Sequence, residues 1–153
     1  MKLFSTRDSS NIVNLETAVF KGMSDDKGLY LPEKIIPFEN SFFNTIENYS
    51  FQEVCLKVCQ QLFQGYIPNN DLEQIVNNAI NFEAPLKQLE ESLHVLELFH
   101  GPTFAFKDFG ARFMAHLLNY LNRNNDKKTT ILVATSGDTG GAVASGFHNV
   151  PNV

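Results

Sequence analysis

The run Thr129-Thr130-Ile131-Leu132-Val133-Ala134 constrains this chain more than any other stretch. It is almost continuously apolar after two threonines and leaves no polar face for water. A strand of that kind needs cover on both sides, the setting of a parallel sheet flanked by helices. The loop Thr135-Ser136-Gly137-Asp138-Thr139-Gly140-Gly141 follows at once. The pattern predicts a helix from Gly137 to about His148, in which small residues permit close approach to a sheet. The same order occurs upstream. Leu93 to Leu98 reads as a strand, Gly101-Pro102 as a turn, and Phe109 to Asn122 as a strong helix. Strand, helix, strand, helix predicts an α/β layer with a right-handed crossover. Two strands make a very small parallel sheet, so the layer reads as unfinished. Another chain completes it, or these 153 residues are the N-terminal fragment of a longer protein. An open sheet edge also invites self-association.

The first 84 residues read differently, as a mostly helical N-terminal subdomain with short strands. Lys2 to Thr6 and Leu29-Tyr30-Leu31 are the strands, and Asn14 to Phe20 is a helix stopped by Gly22. Ser50-Phe51-Gln52-Glu53 is a capping box, in which serine and glutamate each satisfy the other's backbone amide. The helix it opens runs to about Phe63, with Phe51, Val54, Cys55, Val58, Cys59 and Leu62 on one face. Asp71 to about Phe82 is the next, with Leu72, Ile75, Val76 and Ala79 as its stripe. Pro37 and the Asn-rich stretch after it read as loop. The second, incomplete domain runs from residue 85 to residue 153.

Composition excludes several functions. Twelve Lys and Arg against seventeen Asp and Glu give a net charge of −5. A sequence-independent nucleic-acid binder needs a basic face, and the one adjacent basic pair is Lys127-Lys128. No apolar run approaches the roughly 20 residues that span a bilayer, and no signal peptide is recognisable. The expectation is a cytoplasmic protein without nucleic-acid or membrane partners. Cys55 and Cys59 share a helix face and read as buried core thiols. No metal-ligand spacing is present.

Two motifs carry chemistry. Lys107 lies in line with Ala111, Met114 and Leu118, at the edge of the apolar arc of its helix. Phe104, Phe106 and Phe109 flank it, while Asp108, Arg112, Asn119 and Arg123 fall on the opposite, polar side. Such a lysine has two readings. Its stem can lie on apolar surface with the ammonium in water. Alternatively, desolvation disfavours the charged form, and the neutral amine is the nucleophile that makes a Schiff base. Asp108 reads as a helix-start carboxylate. The loop from Thr135 to Gly141 also has two readings. Free amides at a helix start bind anions, and the hydroxyls of Thr135, Ser136 and Thr139 add donors. Plain capping by serine or aspartate explains the same residues. Asp138 would repel an anion, but can accept a hydrogen bond from a hydroxyl. The loop has neither the P-loop lysine nor dinucleotide glycine spacing. His100 reads as a turn residue. His94, His116 and His148 show no sequence partner and read as structural.

Taken together, three segments resemble threonine synthases. His100-Gly101-Pro102-Thr103-Phe104-Ala105-Phe106-Lys107-Asp108 resembles that family's segment around its pyridoxal 5'-phosphate (PLP) lysine, with Phe104 where Leu is more usual. Thr135-Ser136-Gly137-Asp138-Thr139-Gly140 resembles its substrate-side loop. Phe20 to Pro32 resembles its N-terminal signature, with Lys27 where Gly is common. The resemblance implies a fold type II PLP enzyme that converts O-phospho-L-homoserine and water to L-threonine and phosphate. It implies that Lys107 holds the cofactor covalently and then acts as a base. Thr135, Ser136, Gly137, Asp138 and Thr139 would bind substrate, and Asp138 would also meet the cofactor ring hydroxyl. Family members are far longer, and their cofactor-phosphate loop and the partner of the pyridine nitrogen lie downstream of these residues. The isolated chain is therefore expected to bind PLP weakly and to turn over nothing measurable. Two alternatives stay open: a threonine-synthase-like phospholyase on another phosphorylated amino acid, and a non-catalytic interaction module.

Overall fold

The computed structural model describes residues 1–124, 128–151 and 153. Lys127 of the basic pair and Asn152 lie outside the described residues. The chain is mixed α/β, with six α-helices and two small sheets among the described residues.

The N-terminal sheet has strand order β2-β1-β3, with β1 Lys2–Ser5, β2 Ile12–Asn14 and β3 Tyr30–Pro32. Both pairings are antiparallel, with Leu3 opposite Val13 and Pro32. A polar clasp ties its strands to the turn at residues 24–28. Ser5 is fully buried and donates to the Asp26 carboxylate at 2.8 Å. The Gly28 amide donates to the same carboxylate at 2.8 Å. Gly28 cannot carry a side chain there, because a Cβ would collide with Ser5 Oγ. Lys27 is held left-handed, at φ 68°.

Helix α1, Leu15–Lys21, starts on the Asn14 side chain, which accepts from the Thr17 amide. Helix α3, Phe51–Leu62, opens on the expected capping box, with both reciprocal bonds formed. Helix α4, Asn69–Ala79, buries Leu72, Ile75, Val76 and Ala79, the stripe its spacing predicts. The core forms where α1, α3 and α4 meet helix α5, Lys107–Asn122. Phe63, Ile67, Leu72, Ile75 and Leu117 are buried together, with Leu15, Val19, Cys59 and Phe113 packed around them. Each large side chain so buried is worth about 1.5–3 kcal/mol relative to exposure. Cys55 and Cys59 are free thiols, half-buried rather than fully buried as expected. Burial and the neighbouring Cys55 push Cys59 up to about 11.

Three elements escape the sequence pattern. Helix α2, Asn40–Thr45, and a 3₁₀ turn, Ile46–Asn48, occupy the stretch expected to be loop. Stacking of Phe42 on Phe38 (4.2 Å) and on Tyr49 (6.2 Å) organises it without burying any α2 residue. Strand β4, Leu86–Glu90, pairs antiparallel with β5, Leu93–Leu96. The expected strand at Leu93 to Leu98 is thus a hairpin arm and ends at Leu96. The expected strand at residues 129–134 is a correction of another kind. The segment forms no ladder, and Leu132 is 90% exposed. A strand exists only with a partner, and β5 is paired to β4 instead. The α/β class stands, but the parallel pair expected within it is not formed.

Two predictions follow from these packing details. Lys27→Gly removes a left-handed penalty of about 1–2 kcal/mol and adds an unfolded-state entropy cost of about 0.5–1 kcal/mol. Chemical denaturation is expected to show a net gain of about 0.5–1 kcal/mol; a loss would mean that the Lys27 side chain matters to the turn. His116, half-buried on α5, is held below its ordinary 6.5, first by burial and then by Arg112. Below that value the unfolded chain takes up the proton more readily than the folded one. This contribution is therefore complete above pH 6.5 and is lost as pH falls through the lowered folded value. His116→Gln should flatten the stability profile in that window. The carboxylates held below their ordinary values, Asp8, Asp26 and Glu53, act at lower pH still.

Candidate active site

The segment from Gly101 to Asp108 is a tight turn that runs directly into α5. The Phe104 amide donates to the Gly101 carbonyl and the Asp108 amide to the Ala105 carbonyl, each at 3.0 Å. Phe104 is left-handed at φ 58° and 80% exposed. Helix α5 begins at Lys107, two residues before the expected start, and Phe106 at its N-cap supplies no side-chain cap. Lys107 is exposed, with Nζ 5.8 Å from the Phe106 ring centroid. Of the two readings of this lysine, the one with its ammonium in water fits: Phe106 is itself 61% exposed and encloses nothing.

Asp108 corrects the helical wheel more sharply. It was assigned to a polar, outward side, yet its exposure is 0%. Its carboxylate accepts from the Thr103 amide at 2.9 Å and from the Thr103 hydroxyl at 2.7 Å. Gly101 lies against it so closely that a Cβ there would stand 2.5 Å from Asp108 Oδ2. A hydroxyl residue and a carboxylate five positions apart across a Gly-Pro turn were the available signal in sequence. The wheel hid it by assuming one buried face, whereas α5 packs against α1, α4 and α6, Asp138–Phe147.

Arg112, also assigned outward, ends α4. Its guanidinium donates to the carbonyls of Ala79 (2.8 Å) and Asn78 (2.6 Å), which the helix leaves unpaired. Phe109 packs against Phe82 at 4.7 Å and Phe51 at 6.2 Å, fixing the start of α5 to α3 and to the end of α4. His100 precedes the turn rather than lying in it, with Nε2 2.7 Å from Glu97 Oε2.

The second motif heads α6. Asp138 is its first residue, and Gly137 before it adopts φ 154°, ψ −79°, which L side chains rarely adopt. The Gly137 amide donates to Thr135 Oγ1 at 3.2 Å. Thr135 Cγ2 occupies the place where a Cβ on Gly140 would stand. Thr135, Ser136, Gly137 and Asp138 are exposed, and Thr139 is half-buried. No side chain caps α6, so its first amides remain free to donate to a ligand. Helices α5 and α6 are in contact: a Cβ on Gly146 would stand 3.1 Å from the Ala111 carbonyl carbon. Each motif thus begins one of two helices that pack on one another, and the contact falls early in α5 but late in α6, at Gly146. A cleft of about 650 Å³ lined by Ile35, Ile36, Phe38, Phe43 and Tyr66 among others contains none of these residues. Among the described residues no His, Cys, Asp and Glu group is placed to hold a metal ion. None of the helices described is long and apolar enough to cross a membrane.

Gly137→Ala should cost about 1–3 kcal/mol, the usual cost of a strained backbone. Amide exchange should localise the loss to the start of α6. Unchanged protection there would show that the loop can re-form with a side chain at this position.

Comparison with known proteins places these features in a family. Residues 2–80 match the family described as threonine synthase N terminus. Threonine synthase of Haemophilus influenzae is 43% identical over 153 residues, and that of Escherichia coli 40%. Both alignments take in all of this chain and 35% of the relative, so the chain spans about a third of the length of these curated relatives. The crystal structure of Escherichia coli threonine synthase superposes with TM-score 0.91 over 100% of this chain and 35% of its own. The structure of PLP-bound threonine synthase from Brucella melitensis gives 0.92 at 37% identity, over 99% of this chain and 34% of its own. With its matching N-terminal half and this shared fold, the chain belongs to the threonine synthase family.

Proposed function

We propose that this chain is the N-terminal part of a longer threonine synthase. The reaction is conversion of O-phospho-L-homoserine and water to L-threonine and phosphate, in threonine biosynthesis. The observation that carries the reading is the placement of Lys107 and the 135–139 loop at the starts of two packed helices. The residues present fit a PLP site. Lys107 offers an exposed amine at the end of a fixed turn, and α6 offers amides that no side chain caps. Bound PLP would supply an electron sink for the substrate amino acid. Lys107 would hold the cofactor covalently and, once released, move a proton. Thr135, Ser136, Gly137, Asp138 and Thr139 would bind substrate, and Asp138 would also hydrogen-bond the cofactor ring hydroxyl.

The division at residues 84 and 85, cytoplasmic location and self-association through the incomplete sheet belong to the same proposal. The hairpin supports the last point, since every residue of β4 and β5 is exposed. It also keeps a second reading alive, in which the chain is an interaction module.

The full-length protein should release phosphate from O-phospho-L-homoserine in preference to O-phospho-L-threonine. Lys107→Ala should abolish turnover and the visible Schiff-base absorbance, while leaving the melting temperature of the isolated 153-residue chain unchanged, since the side chain is exposed there. The opposite substrate preference would make it a phospholyase. For the isolated 153-residue chain, PLP should be lost on dialysis. A retained, stoichiometric chromophore that depends on Lys107 would overturn the claim that the chain alone is incomplete.

A further inference from the structure

We infer that Asp108 is the positioning residue for Lys107, acting through Thr103 and Gly101. The inference rests on the proposed PLP role of Lys107. Successive helix residues point about 100° apart, so a side chain locked at position 108 sets the direction of its neighbour at 107. Asp108 is locked. Its carboxylate is fully buried and takes both the amide and the hydroxyl of Thr103. Gly101 closes over it with no room for a methyl group.

The other contacts at this end of α5 are of a different kind. The N-cap residue, Phe106, is helical and gives no side-chain cap. Phe104, in the middle of the turn, is left-handed, which favours opening. The Thr103–Asp108 bonds span that residue and oppose its opening. The aromatic packing of Phe109 fixes the helix one residue further on and meets the turn at Phe106, with ring centroids 6.5 Å apart. Asp108 therefore works as an internal cap. Its carboxylate faces Thr103 and Gly101, and it determines where the Lys107 amine is delivered.

The test uses the full-length holoenzyme of the proposed reading. PLP is trapped on lysine by borohydride, and peptide mass spectrometry gives the share carried by Lys107. Amide exchange at Thr103 and the melting temperature are followed in parallel. Asp108→Ala should lower the Lys107 share tenfold or more and expose the Thr103 amide. Should that variant fail to fold, Thr103→Val, which removes the hydroxyl alone, should still lower the share severalfold, and Thr103→Ser should restore it. Gly101→Ala should act like Asp108→Ala. A folded Asp108→Ala or Thr103→Val variant with wild-type trapping at Lys107 overturns the positioning role and leaves the PLP reading intact. Absence of any Lys107 preference in the wild-type protein overturns the PLP reading and the positioning role with it.

Discussion

Helix α5 can lie buried among its neighbours because Arg112 satisfies the end of α4. A helix terminus leaves carbonyls without partners, and leaving such a group buried and unpaired costs about 1–3 kcal/mol. Arg112 donates to two of these carbonyls and also to Asn81 Oδ1. Its guanidinium lies 5.9 Å from the Phe82 ring centroid. One side chain thus lets α4 stop against α5 and turns the chain toward the hairpin. At the opposite end Arg123 reaches Asp71 at 3.3 Å, so the two helices are tied at both ends. Gly146 uses the same stretch of α5 from α6, approaching the backbone of Ala111 and Arg112. Residues 111 and 112 are therefore where the helical half and the motif-bearing half meet.

The sequence made some of this legible and hid the rest for identifiable reasons. Helix α4 was readable because it has a single buried stripe, and α3 because it opens on a capping box, although Phe51, Val58 and Leu62 of its apolar face are exposed rather than buried as expected. The positions of both motifs at helix starts were readable from their glycine and hydroxyl content. Helix α2 was not, since its stability comes from rings stacked on rings at the surface rather than from a buried face. The roles of Asp108 and Arg112 were not, because a helix covered on several sides has no outward face for a wheel to assign. Pairing of β5 was misjudged because its partner β4, two residues away across a hairpin turn, was not recognised as a strand. Leu86 and Leu89 in β4 are three apart, and the register shifts between Gln88 and Glu90, so alternation gave no strand signal.

The two motifs also differ in how they are held. The lysine turn is fixed from inside, by a buried carboxylate, a glycine against it and aromatic rings behind it. The loop at 135–139 is fixed only by its own short contacts, Thr135 to the Gly137 amide and to Gly140. Under the proposed function, preorganisation of this kind would separate the element that delivers one atom from the element that accommodates a substrate. The glycines serve both ends. Gly101 allows contact with a carboxylate, and Gly137 supplies a backbone conformation that side chains resist.

Apolar exposure is high at these motifs, though not confined to them, since Ile35 is 73% and Leu29 63% exposed. Phe104 and Phe106 are 80% and 61% exposed, Leu132 is 90% exposed, and Leu86, Leu89 and Leu96 each exceed half. Patches of that extent on a soluble protein usually mark surfaces that another element covers. Phe106 already lies beneath the lysine amine. Covering Phe104 and Phe106 would place Lys107 in the apolar setting that its sequence context suggests, without any change to the turn. The rigid turn and the exposed rings are thus complementary. The first sets the direction of the amine, and the second sets how its environment would respond to cover.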